Sequence, residues 1–324
     1  REALDTDLAV LDVALSQPGC GDSSVLVTAT VANLGLSPLS AVPLEYLVDG
    51  VTLVQETLPG TLLPCEVAEW TFTVPVDVSV ARLYEVVVSH TAAGDADAGN
   101  DAAEARVHPP EIIAAWPYAE DFEGDSAQQW RADGTNPSWA LGTPAKAAIQ
   151  GAFSGSRAWV TGGLGVATYN PDEASFVEGP CYDFSGLSNP RIELPVWWNA
   201  ESSWDGALLE SSVDDGASWD RVGAFGDELT WYTDDSVSAL PGLQGWSGDS
   251  VTGDASGGWV LAGHDLDGLA GEPFVRLRLR FGSDSNVQDD GFAFDDLLVS
   301  DNPAGLRVTD ASDRVRPAAV LAGS

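Results

Sequence analysis

The chain has 324 residues, fifty of them acidic and fourteen basic, for a formal charge of −36. That balance argues against nucleic acid, whose phosphates call for a basic footprint, and anionic lipid surfaces are disfavoured by the same repulsion. The length suffices for two ordinary domains, each burying its own core.

The acids are mainly Asp, and Lys146 is the only lysine beside thirteen arginines. This fits a protein living in high or marine salt, where self-repulsion is screened; a GC-rich genome explains the lysine deficit but not the acid excess. The chain starts at Arg1 and contains no Met, so a mature product with its signal peptide removed is expected. No apolar run reaches the ~18 residues of a membrane span. A secreted or cell-surface protein is therefore expected. Of the three cysteines, Cys20 and Cys65 fall in the same N-terminal region and are expected to pair; Cys181 is left over as a buried small hydrophobe or an intermolecular bridge.

In chain order, DLAVLDVALS, SVLVTATVANLG, LEYLVDGVTL, EWTFTVPV and LYEVVVSHTA are short segments of β pattern separated by turn residues between residues 5 and 108. They predict a β-sandwich without helices. Asp49-Gly50 predicts a type I′ hairpin turn, which needs positive φ at both positions. Pro109 and Pro110 cannot continue a ladder and place a boundary at about residue 110. From Trp116 to Ser300 the chain carries eleven of its twelve tryptophans, again in strand-like segments, and two packed antiparallel sheets are expected. Residues 301–324 form a tail.

The first region resembles CARDB, the immunoglobulin-like cell-adhesion-related domain of bacteria. The resemblance rests on the opening DLAV, on VANLG at Val31 to Gly35, YLVDG at Tyr46 to Gly50, EWTFTV at Glu69 to Val74, and GDADAGNDA at Gly94 to Ala102. Family members usually carry two consecutive asparagines where this chain has Asn100-Asp101. The second region, about residues 115 to 300, resembles MAM-like jelly-roll domains of secreted and surface-bound bacterial proteins. PYAEDFEGD at Pro117 to Asp125, PVWWN at Pro195 to Asn199 and GFAFDDLLVS at Gly291 to Ser300 carry that likeness. The expected architecture is all-β: an Ig-like sandwich over 1–110, a larger jelly roll over 111–300, and a tail over 301–324 that can serve as an assembly strand.

First and last strands of such sandwiches are commonly neighbours, so Asp121 and Glu123 are expected to meet Asp295 and Asp296, and their mutual repulsion calls for a hard cation. The resemblance implies a structural metal at the matching acidic positions, and calcium is the expected ion. The loop Ser283 to Gly291 offers oxygens at Asp284, Asn286, Gln288 and Asp290, but it departs from an EF-hand at Asp289, where glycine is required; Asp284 and Asp290 are expected to extend the first site or hold a second ion. GDADAGND fails the same test at Asn100. SVDDGASW at Ser212 to Trp219 fits the Asp box, a hairpin tip frequent in sialidases and other β-propeller enzymes. A propeller repeats it once per blade and it occurs once here, so a structural role is expected.

Trp204, Trp231 and Trp246 read as loop aromatics available to a ligand, and of the adjacent Trp197 and Trp198 at most one can face the core. Arg276, Arg278 and Arg280 alternate along one strand face, either paired with internal carboxylates or forming a socket for an acidic neighbour or an anionic glycan. No nucleophile elbow, zinc-binding helix or phosphate-cradling loop occurs. The expectation is a non-enzymatic extracellular adhesion or structural protein stabilised by calcium, meeting another copy of itself, another surface protein or a surface glycan. A carbohydrate-binding module and an accessory fragment of a secreted hydrolase stay open as alternatives.

Overall fold

A computed structural model describes residues 4–95 and 97–302, with Thr52 and Leu53 described in backbone only. The chain divides into two compact units, the first ending at Glu111 and the second starting at Ile112. Both are all-β. Among the described residues, the only helical turns are two short 3₁₀ segments, Asp125–Gln129 and Pro241–Leu243.

The first unit contains β1 (Leu8–Leu15), β2 (Ser24–Val25), β3 (Val27–Asn33), β4 (Leu39–Val48), β5 (Val51–Leu62), β6 (Val67–Thr71), β7 (Val76–Asp77), β8 (Tyr84–His90) and β9 (Ala102–Val107). Sheet β1-β3-β6 and sheet β5-β4-β8-β9 enclose one core, with β2 and β7 paired beside them. Alternation decides which side chains enter it: along β8, Tyr84, Val86, Val88 and His90 are buried while the residues between them are half-exposed. Asp49 (φ 50°) and Gly50 (φ 81°) make the expected tight turn between Val48 and Val51. In the VANLG segment, Asn33 is fully buried: its amide donates to the carbonyls of Ser37 and Leu62 and its Oδ1 accepts the Gly35 N–H. A Cβ on Gly35 would lie 2.7 Å from the Asp7 nitrogen, so only glycine lets the two backbones approach this closely.

The expected Cys20–Cys65 bond is not formed. Cys65 is an exposed free thiol, whereas Cys20 and Cys181 are the disulfide-bonded cysteines. Strand register gives the reason. Cys65 donates its N–H to the Asn33 carbonyl at one end of β3, while Cys20 lies beyond Leu15 and Val27 at the other end. Six strand steps, about 20 Å, separate positions that a disulfide needs within about 7 Å. Native protein without reductant should therefore take up one maleimide per chain, and a Cys65→Ser variant none; no labelling of the native chain would contradict the assignment.

The second unit contains β10 (Ile112–Ile113), β11 (Tyr118–Glu120), β12 (Arg131–Thr135), β13 (Ala140–Gly142), β14 (Ala158–Val160), β15 (Ala174–Tyr182), β16 (Pro190–Asn199), β17 (Gly206–Ser212), β18 (Asp220–Arg221), β19 (Val260–Asp265), β20 (Val275–Gly282), β21 (Gly291–Phe294) and β22 (Leu297–Asp301). One sheet runs β10-β15-β20-β17-β18, with β12 on β15. The other runs β11-β22-β16-β21-β14-β13, with β19 on β16. The first full strand of this sandwich does pair with the last, Tyr118 opposite Val299. The core is aromatic: Trp139 meets Phe281, Phe292 and Phe294 edge to face, and Phe122 packs between Trp130 and Phe294.

Candidate functional site

The β11–β22 pairing brings Glu123, Asp295 and Asp296 to one loop, residues 153–157. Glu123 accepts the N–H groups of Ser156 (2.8 Å) and Arg157 (2.6 Å) and the Ser156 hydroxyl. Asp295, fully buried, accepts from Phe153 N, Ser154 N and Asp296 N, and Asp296 accepts the Ser154 hydroxyl. Asp121 accepts the Glu123 N–H. Burial pushes the Asp295 carboxyl up to about 7 against those donors, whereas the Ser156 N–H leads the groups that hold Glu123 below the usual carboxylate range. Asp290 stands apart, accepting from Ala148 N and Ile149 N.

Carboxylate oxygens converge more closely at another end of the sandwich. Among the described residues, Glu201, Asp205 and Asp284 each offer an oxygen within 4.8 Å of the others. Asp205 is fully buried; it accepts the Tyr169 hydroxyl at 2.7 Å and the Asp284 N–H at 2.7 Å. Glu201 Oε2 is shut off from solvent and has no hydrogen-bond partner. Burial, then Asp284, Asp289 and Asp249, raise the Glu201 carboxyl; burial, then Asp249 and Asp290, raise Asp289; and burial is the leading cause that brings Asp205 to about 7. The charges acting on all three are acidic. An all-oxygen donor set around an orphaned, solvent-excluded oxygen fits a hard cation such as calcium.

Of this cluster, the sequence singled out Asp284 but not Glu201 or Asp205. The register of β17 with β20, Gly206 opposite Gly282, carries the turn before one strand to the loop after the other, and nothing local in the sequence reveals that meeting. A signal exists in hindsight: two acids, Glu201 and Asp205, bracket a turn immediately before a buried strand.

The first unit gathers His90, Asp95 and Asp101 within the same distance. Here the donor set does not fit a metal through histidine. His90 Nδ1 accepts the Ala92 N–H and Nε2 faces the Leu8 carbonyl at 2.7 Å, so the ring is used up fastening the end of β8 to the start of β1.

Two of the three rings expected to contact a ligand are closed to one. Trp231 and Trp246 are fully buried, and Trp198 is 5 % exposed. The long connection after β18 folds back over the sandwich: Trp231 Nε1 donates to the Val222 carbonyl and Trp246 Nε1 to the Thr230 carbonyl, while Trp246 stacks on Phe292. Trp197 packs against Trp259. Trp204 alone of the three proposed rings is exposed, at 50 %. The arginines take the internal reading. Arg276 pairs with Glu178 and Asp215, and Arg278 is buried, pairs with Glu210 and lies between the rings of Phe176 and Trp219. Arg280 lies 3.8 Å from Glu210. Register explains it: Glu178 and Glu210 sit directly opposite Arg278 on its two neighbouring strands.

The Asp box is the expected hairpin tip. Asp214 accepts the Ser218 N–H and hydroxyl and the Ser212 hydroxyl, the Ser218 hydroxyl being foremost in bringing it down to about 2. Gly216 supplies φ 85°.

No protein-family model matches the chain, and no curated protein matches it. Solved structures do. The CARDB domain of a Pyrococcus furiosus protein is similar at 16 % identity over 33 % of this chain and 96 % of that one, TM-score 0.28. The K1 cleaved adhesin domain of Lys-gingipain from Porphyromonas gingivalis is similar at 14 % identity over 58 % and 99 %, TM-score 0.33. Modules of an endo-1,4-β-D-xylanase from Clostridium thermocellum, complexed with xylohexaose, are similar at 14 % identity over 59 % and 29 %, TM-score 0.32. None of these likenesses assigns a site residue. Among the described residues no helix is long and apolar enough to cross a membrane.

Proposed function

We propose that this chain is a non-enzymatic extracellular adhesion protein whose second β-sandwich is held by calcium. The observation that supports it best is the convergence of Glu201, Asp205 and Asp284 around an unpartnered, solvent-excluded oxygen with only acidic charges nearby. Such a cluster needs a cation to be ionised and folded at once, and extracellular calcium is abundant enough to fill even a weak site. The histidine on β19 supports a role without catalysis. His264 faces Asp227 with Nε2 at 2.9 Å and the Asp265 carbonyl with Nδ1 at 2.5 Å, leaving no nitrogen to serve a nucleophile.

A carbohydrate-binding role has one observation in its favour: the exposed Trp204 ring stands in the same turn as Glu201 and Asp205, where it can stack on a sugar. Self-assembly through a C-terminal strand falls on residues 303–324, outside the described residues.

Calcium titration of chelator-stripped protein by calorimetry tests the reading. One saturable site is expected, weakened at least tenfold in a Glu201→Gln, Asp205→Asn variant that keeps its far-ultraviolet dichroism. Saturable binding that survives in this variant would move the ion to Glu123, Asp295 and Asp296; no saturable binding in the parent chain would remove calcium from the function.

A further inference from the structure

A groove of about 840 Å³ opens on the second unit, within the ~300–1,000 Å³ range of ligand sites. It is lined by β18 and β19, each of which has a strand partner on one side only, in different sheets. Six carboxylates line it, those of Asp220, Asp227, Glu228, Asp265, Asp267 and Glu272, against two guanidiniums.

Both guanidiniums are already engaged. Arg191 pairs with Asp265 at 2.8 Å and Glu193 at 3.3 Å, and Arg221 donates to the carbonyls of Gly223 and Gly242. Asp227 is held by His264 and the Ala224 N–H. By contrast, among the described residues no hydrogen bond or ion pair engages the side chains of Asp220, Asp267 or Glu272. The groove thus presents acceptors and almost no free donors. No Trp, Tyr or Phe lines it, and Trp231 is sealed beneath His264 at a centroid distance of 5.0 Å.

An anionic ligand is repelled by this wall, and a sugar finds no ring to stack on. A cationic ligand meets carboxylates able to take guanidinium groups in paired hydrogen bonds, and a space lined by two edge strands suits an extended chain. We infer that the groove is the docking site for a basic, extended peptide segment of a partner protein, anchored by arginine or lysine side chains on Asp220, Asp267 and Glu272. This names a partner for the adhesive role and rests on that reading. None of the groove carboxylates belongs to the Glu201–Asp205–Asp284 cluster, so failure of calcium binding and failure of peptide binding are separate results.

The probe is a fluorescein-labelled heptapeptide alternating glycine and arginine, followed by anisotropy with full-length protein in calcium and near-physiological salt. Because the whole chain is acidic, specificity is read against a control of equal charge. Asp220→Asn, Asp267→Asn, Glu272→Gln should weaken binding about tenfold or more. Asp12→Asn, Glu69→Gln, Glu111→Gln, which removes three exposed acids of the first unit, should change it less than twofold. Unchanged melting temperatures show that both variants are folded. Equal weakening by the two variants would mean diffuse attraction to an acidic surface and would overturn the site; so would absence of binding by the parent chain, or binding of cellohexaose in its place that the groove substitutions abolish.

Discussion

Trp246→Ala is expected to destabilise the second unit by about 3–5 kcal/mol, the usual cost of deleting a buried tryptophan. The ring is fully buried, stacks on Phe292 at 5.5 Å, and touches Trp231 and Tyr232 at centroid distances of 5.0 and 4.9 Å. Its removal opens a cavity among aromatics and leaves the Thr230 carbonyl without the indole donor at 2.8 Å. On a scale of roughly 2–4 °C per kcal/mol for a domain of this size, the melting temperature should drop by about 10 °C. Trp204→Ala, at a half-exposed ring, should stay within about 0.5 kcal/mol of the parent. Chemical denaturation of the two variants checks both; a Trp246→Ala cost below about 1 kcal/mol would put that ring back on the surface.

The second large effect couples protons to calcium. Burial pushes the carboxyls of Asp205 and Asp295 up to about 7, against an ordinary value of about 3.9 in the unfolded chain. Between about pH 4 and 7 the native state keeps protons that the unfolded state has lost, so stability falls as pH rises through that window and levels off above it. In chelator, the second unit should therefore melt several degrees lower at pH 8 than at pH 5. Calcium held at the proposed site should reverse the balance, because it would bind the ionised form of Asp205 and compete with the proton. At a hundredfold excess over its dissociation constant it adds about 2.7 kcal/mol, and this gain should be largest above pH 7. Melting curves at pH 5 and pH 8, with calcium and with chelator, give the four values required. A chelated protein that melts higher at pH 8 would show that these carboxyls are not held in the protonated state.

Much of the frame is readable from local pattern. Alternation of apolar and polar residues over segments such as YEVVVSH and FVRLRLRF carries strand identity and inward face, since the side-chain period of a strand is two. Asp49-Gly50 determines its own turn because both positions need positive φ, and the Asp box closes on itself within seven residues. Two β-sandwiches without helices follow from such signals, as does an acidic exterior that repels phosphate.

Register, and with it every long-range meeting, belongs to the tertiary structure. Cys20 and Cys65 share a unit but lie at opposite ends of β3, and no spacing in the chain records that. Asp205 meets Asp284 because Gly206 pairs with Gly282, although each acid alone looks like any other in a chain with fifty. Trp231 and Trp246 lie in a connection whose glycines, serines and aspartates read as surface. Their rings nonetheless close the core, because burying so large an apolar area outweighs the ordering of the loop that carries them. Local sequence thus determined which segments extend and which faces turn inward. Only the three-dimensional fold decided which carboxylates crowd together and which tryptophans stay in water, since these depend on contacts between residues tens of positions apart.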